Sequence, residues 1–256
     1  MALVASDVHL GAVPDATEAA FLDFIRWAPT VAGALVLNGD IFDVWFASRR
    51  FVPKRHAGTL ACIADVVRRG LMVSFVGGNR DAMEWGGEVL ARETGMRVLP
   101  DPSRITLAGY RTLVAHGDGA RWGASRPYTK PYPWLRSRAL VGAVRHLLPQ
   151  EWLFRELSAR SPTRRRVAAY AAGSTTGPKR RAPQIDAWAR AELARDLELD
   201  LVLAGHSHHP VLVEVEPGRF YVNTGDWIEH HTYAVISAGA APELLRWPTQ
   251  QRVPST

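Results

Sequence analysis

Five short polar motifs carry most of the chemistry this chain could do: Asp7-Val8-His9, Gly39-Asp40-Ile41-Phe42-Asp43, Gly78-Asn79-Arg80-Asp81, His116-Gly117-Asp118 and Gly205-His206-Ser207-His208. Among them Asp7, His9, Asp40, Asn79, His116, His206 and His208 are seven oxygen or nitrogen donors of the kind that hold divalent cations such as Mn, Zn or Fe. Seven are too many for one ion that must keep a position open for water, and enough for two ions that share a carboxylate. Such a pair would activate a water molecule, so no protein nucleophile is required. Accordingly the chain has no Gly-x-Ser-x-Gly elbow, no Walker loop and no dinucleotide fingerprint. Each motif alone is common. Their joint occurrence carries the weight, because five polar clusters at strand ends would otherwise each need some other partner.

Donors so far apart in sequence need a scaffold that gathers them. Apolar runs of buried-strand length recur at residues 2–6, 34–38, 72–76, 112–116, 201–205 and 220–224, and several end on a polar motif residue. Between the first three lie segments with helical spacing, marked by Phe21, Leu22, Ile25 and Ala28 and then by Leu60, Ile63, Ala64 and Val67. A further helix is expected from Ile185, Trp188, Ala189, Leu193 and Leu197. Alternating strands and helices predict a layered α/β fold, in which ligand groups collect at the carboxyl ends of strands.

Residues 121–182 break this alternation. They hold Pro127, Pro131 and Pro133, helical stretches around 135–148 and 151–171, and a loop over 173–183, and are expected to be a basic helical insertion between core segments 1–120 and 183–256. The insertion has 14 Lys and Arg against Glu151 and Glu156, so the +6 charge of the whole chain belongs to it. That charge favours anionic partners: phosphate esters, an acidic membrane surface or, as a less favoured alternative, nucleic acid stacked on Tyr128, Tyr132, Trp134 and Trp152. The only cysteine, Cys62, lies in an apolar run and is expected to be a small buried hydrophobe. No stretch reads as a signal peptide or membrane span, so a cytoplasmic location is expected, with contact to the inner face of the membrane as an option.

The motif series, in this order, resembles the calcineurin-like metallophosphoesterase superfamily over residues 3 to about 228. The resemblance implies a layered α/β-β-α sandwich with a helical cap insertion. It also implies two divalent cations, Mn foremost with Zn, Fe or Mg as alternatives. One would take Asp7, His9, Asp40 and His208, and the other Asp40, Asn79, His116 and His206, with Asp40 bridging. Many members have His after the metal-binding Asn; here Arg80 stands there, a poor general acid but a good fork for phosphate oxygens, which together with Asn79 would bind substrate. Ser-Asp-x-His-Leu-Gly, Gly-Asp-Ile-Phe-Asp-x-Trp ending at Trp45, and Gly-Asn-Arg-Asp are similar to the UDP-2,3-diacylglucosamine diphosphatase branch. That likeness implies hydrolysis of a UDP-sugar pyrophosphate to UMP and a lipid sugar phosphate, with the cap holding acyl chains. Two other readings stand beside it: a phosphodiesterase or nuclease of the same superfamily, and a non-catalytic protein that docks a membrane or partner through its basic helices. Asp43, Asp81 and Asp118 are expected either to orient ligand imidazoles or hold Arg80, or simply to cap their loops, whereas His209, His230 and His231 are expected to be structural.

Overall fold

The computed structural model describes residues 1–171 and 182–254. The first half runs β1 (Ala2–Ala5), α1 (Asp15–Val31), β2 (Ala34–Asn38), α2 (Ala57–Arg68), β3 (Met72–Val76), α3 (Gly87–Thr94) and β4 (Arg97–Leu99). After the hairpin β5 (Ser103–Leu107) and β6 (Tyr110–Val114) come the inserted helices α4 (Arg138–Leu147), α5 (Gln150–Ala159) and α6 (Pro162–Ala171). The chain then returns through α7 (Pro183–Arg195), β7 (Leu201–Ala204), β8 (Pro210–Glu216), β9 (Arg219–Thr224), β10 (Thr232–Ile236), β11 (Glu243–Arg246) and β12 (Gln251–Arg252).

These strands form two sheets, ordered β12-β11-β10-β1-β2-β3-β4 and β5-β6-β7-β9-β8. Strands β1 to β4 run parallel, as the intervening helices require, and β6, β7 and β9 are parallel in the second sheet. Strand alternation sorts the side chains into three apolar layers. Leu3, Ala5, Leu35, Leu37 and Phe75 face Phe21, Ile25, Leu60 and Ile63 of the outer helices. Ala2, Val4, Val36 and Val76 face Val114, Leu201, Leu203 and Val222 of the other sheet. On the far side, Val202, Ala204 and Tyr221 bury Trp188 and Leu193 of α7. The result is the expected α/β-β-α sandwich, and Cys62 is buried in its first layer.

Three expectations need correction. The helical stretch over 151–171 is two helices, because Pro162 lacks an amide hydrogen and disfavours helical backbone at Ser161; the Ser161 hydroxyl instead caps the new helix, accepting from Arg164 N at 3.2 Å. Leu197 lies beyond α7 and is 77% exposed, since the helix ends at Arg195. Strands β4, β5, β8, β10, β11 and β12 were not expected; all but the buried β10 carry weaker apolar runs. Most of the loop expected over 173–183 lies outside the described residues.

Candidate metal centre

All five motifs meet where β1, β2, β3, β6 and β7 end. The backbone there is strained: Asp7, His9, Asp40, His206 and His208 have φ between 51° and 65°, and they are five of the nine non-glycine residues with positive φ among those described. Such conformations cost about 1–3 kcal/mol each and persist only when neighbours enforce them. Asp81 enforces one, accepting hydrogen bonds from the amides of Asp40 (2.9 Å), Ile41 (2.7 Å), Phe42 (3.1 Å) and Gly78 (2.8 Å). The loops also bond to one another, Asp7 N to Gly39 O at 3.0 Å and His9 N to Asp40 O at 2.9 Å. Gly78 admits no side chain, because a Cβ would lie 2.2 Å from Asp40 Oδ1.

Hydrogen bonding behind the imidazoles settles which nitrogen faces inward. His208 Nδ1 donates to Asp226 Oδ2 at 3.1 Å, and His116 Nδ1 donates to Asn38 O at 3.1 Å. His9 Nδ1 faces Asp43 Oδ1 at 3.5 Å. The Nε2 lone pairs therefore point at other acceptors: His208 Nε2 lies 3.2 Å from Asp7 Oδ1 and 3.3 Å from His9 Nε2. Asp40 spans the site, with Oδ2 3.8 Å from His9 Nε2 and Oδ1 3.5 Å from His116 Nε2. Asp7 Oδ1 and His116 Nε2 are buried without a hydrogen-bond donor. Acceptors aimed at acceptors inside a protein call for cations between them. Two such groups form, Asp7 with His9 and His208, and Asp7 with Asp40 and His116.

The electrostatics agree. Burial opposes charge on His116, yet the carboxylates of Asp40, Asp7 and Asp118 outweigh it and lift the imidazole to about 9, so without a cation a proton takes the Nε2 position at neutral pH, and a bound cation would displace it. Burial would raise the Asp40 carboxyl, but His116, His9 and the Arg80 amide hold it far below the ordinary carboxylate range. Burial, helped by His116, brings His206 down to about 4, leaving a neutral donor at pH 7. Burial and the neighbouring Asp40 raise Asp81 to about 6, and its four amide partners keep it anionic at neutral pH.

His9, Asp40, His206 and His208 line a cavity of about 190 Å³, which Asn79 and Arg80 enter from one side and Thr163 and Arg166 of α6 from the other. The ring of His206 packs edge-on against His116, with centroids 5.2 Å apart. Asn79, Arg80 and Pro162 also border a larger groove of about 570 Å³, walled by Trp45, Phe46 and Trp85 of the core and by Leu140, Val144, Leu153 and Leu157 of the insertion. Arg166 therefore reaches the site, while its neighbour Arg164 donates to Gly11 O at 2.7 Å.

Of the three acids expected to orient ligands, only Asp43 faces an imidazole. Asp81 serves backbone amides because it follows a turn that points it back at the second motif. Asp118 pairs with Lys130 and Arg136. Asp226 is the acid that sequence reasoning missed: buried, it accepts from His208, from His230 Nδ1 at 3.0 Å and from the Glu229 amide at 3.0 Å. The signal was a sixth polar strand end, Asn223-Thr224-Gly225-Asp226, after β9. Of the aromatics considered for nucleic-acid stacking, Tyr128 is hydrogen-bonded inward to Asp101 at 2.8 Å, and Tyr132 and Trp134 line the groove. His231 stacks on buried Trp227, and His209 sits edge-on to His230.

Residues 2–210 match the family model for calcineurin-like phosphoesterases. Three bacterial relatives are each named UDP-2,3-diacylglucosamine hydrolase. The protein of Shewanella piezotolerans is 28% identical over 96% of this chain and 98% of its own length. That of Ralstonia nicotianae is 32% identical over 88% and 83%, and that of Xanthomonas oryzae pv. oryzae 31% identical over 92% and 95%.

Proposed function

The chain belongs to the calcineurin-like phosphoesterase family, a metal-dependent hydrolase by its donor clusters, and from that premise we propose that it splits the pyrophosphate of UDP-2,3-diacylglucosamine, or a closely related nucleotide-linked lipid, to UMP and a sugar 1-phosphate. The observation that carries this reading is the junction of two cavities at Asn79 and Arg80: a small polar one among the metal donors and a long apolar one beside it. A substrate with a phosphoric anhydride at one end and hydrocarbon at the other fits both. The names of the relatives support the same substrate.

Asp7, His9, Asp40 and His208 would hold one cation and Asp40, Asn79, His116 and His206 the other, with Mn²⁺ the metal we propose and Zn, Fe or Mg as alternatives. Bound there, the pair supplies a water of lowered pKa and positive charge beside the phosphoryl oxygens. Asp40 and Asp7 hold the donor geometry through their bonds to Arg80 N (2.8 Å) and His206 N (2.9 Å). The planar Arg80 guanidinium presents a fork of donors to phosphate oxygens and suits a leaving group that is itself a phosphate and needs no proton. Thr163 and Arg166 close the cavity opposite Arg80 and bring a further hydroxyl and guanidinium to the anhydride. The apolar groove takes the acyl chains out of water.

Among the described residues no helix is long and apolar enough to cross a membrane. Exposed Leu147, Leu148 and Trp152 on the basic insertion support a peripheral seat on an anionic bilayer, where such a substrate resides. The decisive comparison is between UDP-2,3-diacylglucosamine and UDP-N-acetylglucosamine, which shares the anhydride and lacks the two long chains. We expect kcat/KM for UMP release to be at least about 100-fold higher for the acylated substrate, because groove binding is available to it alone. Equal values for the two would refute the lipid assignment.

A further inference from the structure

The insertion does more than cover the groove: it bonds directly to three of the five motif loops and sets hydroxyls beside the acid of a fourth. Arg164 donates to the carbonyl of Gly11, two residues beyond His9. Asp43, which faces His9, has its carboxyl held below the ordinary range against the pull of burial by His9 and by the hydroxyls of Ser161 and Thr163 at the start of α6. Lys130 donates to Gly77 O at 3.2 Å, just before Asn79, and to Asp118 Oδ1 at 2.8 Å, two residues beyond His116. Tyr128 holds the same loop, its hydroxyl accepting from Gly117 N at 3.0 Å. The fifth loop is reached through Asp226, which binds both His208 and the amide of Glu229, whose carboxylate lies 3.8 Å from Arg166. Asp43, Asp118 and Asp226 are all buried, so these are not loose surface pairs.

We propose that the insertion is a clamp on the metal-donor loops, so that seating of α5 and α6 and binding of the cations stabilise one another. The strained backbones at Asp7, His9, Asp40, His206 and His208 need enforcing neighbours, and the ties come from separate points along the insertion. Linkage makes the effect mutual: whatever factor the seated insertion adds to metal affinity, bound metal adds to the seating of the insertion. The inference rests on the two-cation reading of the site and is independent of which phosphoryl substrate is cleaved.

The test uses the full chain without substrate. The double variant Arg164→Gln/Glu229→Gln removes the outermost ties and leaves every metal donor, the Ser161 cap and the buried Lys130 network in place. Isothermal titration calorimetry with Mn²⁺ should show affinity about tenfold weaker than wild type, the low end for loss of groups that orient metal ligands. Amide hydrogen exchange of wild type should show residues 150–171 slowed on adding Mn²⁺, and that slowing should shrink in the variant. Arg164→Lys, which can reach the same carbonyl, should recover part of the affinity in the Glu229→Gln background. An unchanged melting temperature in chelator shows that the double variant still folds; should it melt early, Arg164→Lys alone takes its place, with a smaller loss expected. Wild-type Mn²⁺ affinity in a folded variant, or exchange over 150–171 indifferent to Mn²⁺, overturns the clamp and leaves the metal site standing. If wild type binds no divalent cation, both readings fall.

Discussion

Asp226 accepts the Nδ1 proton of His208 and in doing so turns the Nε2 lone pair toward Asp7 and His9. Asn at this position keeps the shape but can present its NH₂ to the ring and leave the wrong nitrogen inward, so Asp226→Asn should weaken Mn²⁺ binding about 10–100-fold by calorimetry. Asp40→Ala removes the carboxylate that spans both donor groups, and we expect hydrolysis to vanish with the circular dichroism spectrum unchanged. His56, buried against Phe42 and Phe154, gives a pH signature away from the metals. Burial pushes its imidazole from 6.5 down to about 4. Between those pH values the unfolded chain takes up a proton that the folded chain refuses. Its contribution, about 3 kcal/mol, is complete above pH 6.5 and is lost as the pH falls toward 4. Denaturant titrations of wild type and His56→Gln should diverge over that interval, with the flatter profile in the variant; parallel profiles would show that His56 is not held neutral. At this scale the gathering of Asp7, His9, Asp40, His116 and His208 was legible because a strand end followed by Asp or His has few other uses. The acids behind them were left open between facing a ring and capping a loop, since loop directions are not encoded in spacing: Asp43 faces a ring, Asp81 caps loop amides, Asp118 meets Lys130 and Arg136, and Asp226 was passed over.

The strand-end loops are the elements that make these residues a site. Gly78 sits where the third motif crosses the second, and a methyl group would overlap Asp40 Oδ1 and the Asp40 amide. Gly78→Ala should therefore fold but bind metal at least about tenfold more weakly, read by calorimetry or by metal content after dialysis. Full metal content in that variant would mean that the loop yields more than its packing implies. The central strands β1, β2, β3, β7 and β9 were legible as continuous apolar runs because both their faces are covered. The edge strands β5 and β8 were not, since four of the five β5 residues are exposed or half-buried and β8 is exposed along its outer half; β10 was missed although it is buried along its length. In the insertion, helical spacing was readable but the break at Ser161-Pro162 was missed, although proline marks it.

At the scale of the molecule, four layers bring five loops to one rim, and the basic insertion adds an apolar groove to that rim. Charge and proline content made the insertion visible in sequence. That its leucines would face the core aromatics Trp45, Phe46 and Trp85 depends on how the helices dock and was not visible. The outward side of the same insertion leaves Leu147 78% exposed and Trp152 48% exposed amid arginines. If this face rests on a bilayer, Leu147→Asp/Trp152→Ser should cut sedimentation with anionic vesicles by roughly fivefold and leave UMP release from detergent-solubilised substrate near wild type. Sedimentation unchanged would place the membrane contact elsewhere. The most direct test of the whole account follows UMP release from UDP-2,3-diacylglucosamine with Mn²⁺ and with chelator, beside a generic aryl phosphodiester. Fast, metal-dependent UMP release with a slow diester is the predicted result; diester cleavage without UMP would contradict the substrate, and UMP release undiminished by chelator would contradict the metal centre itself.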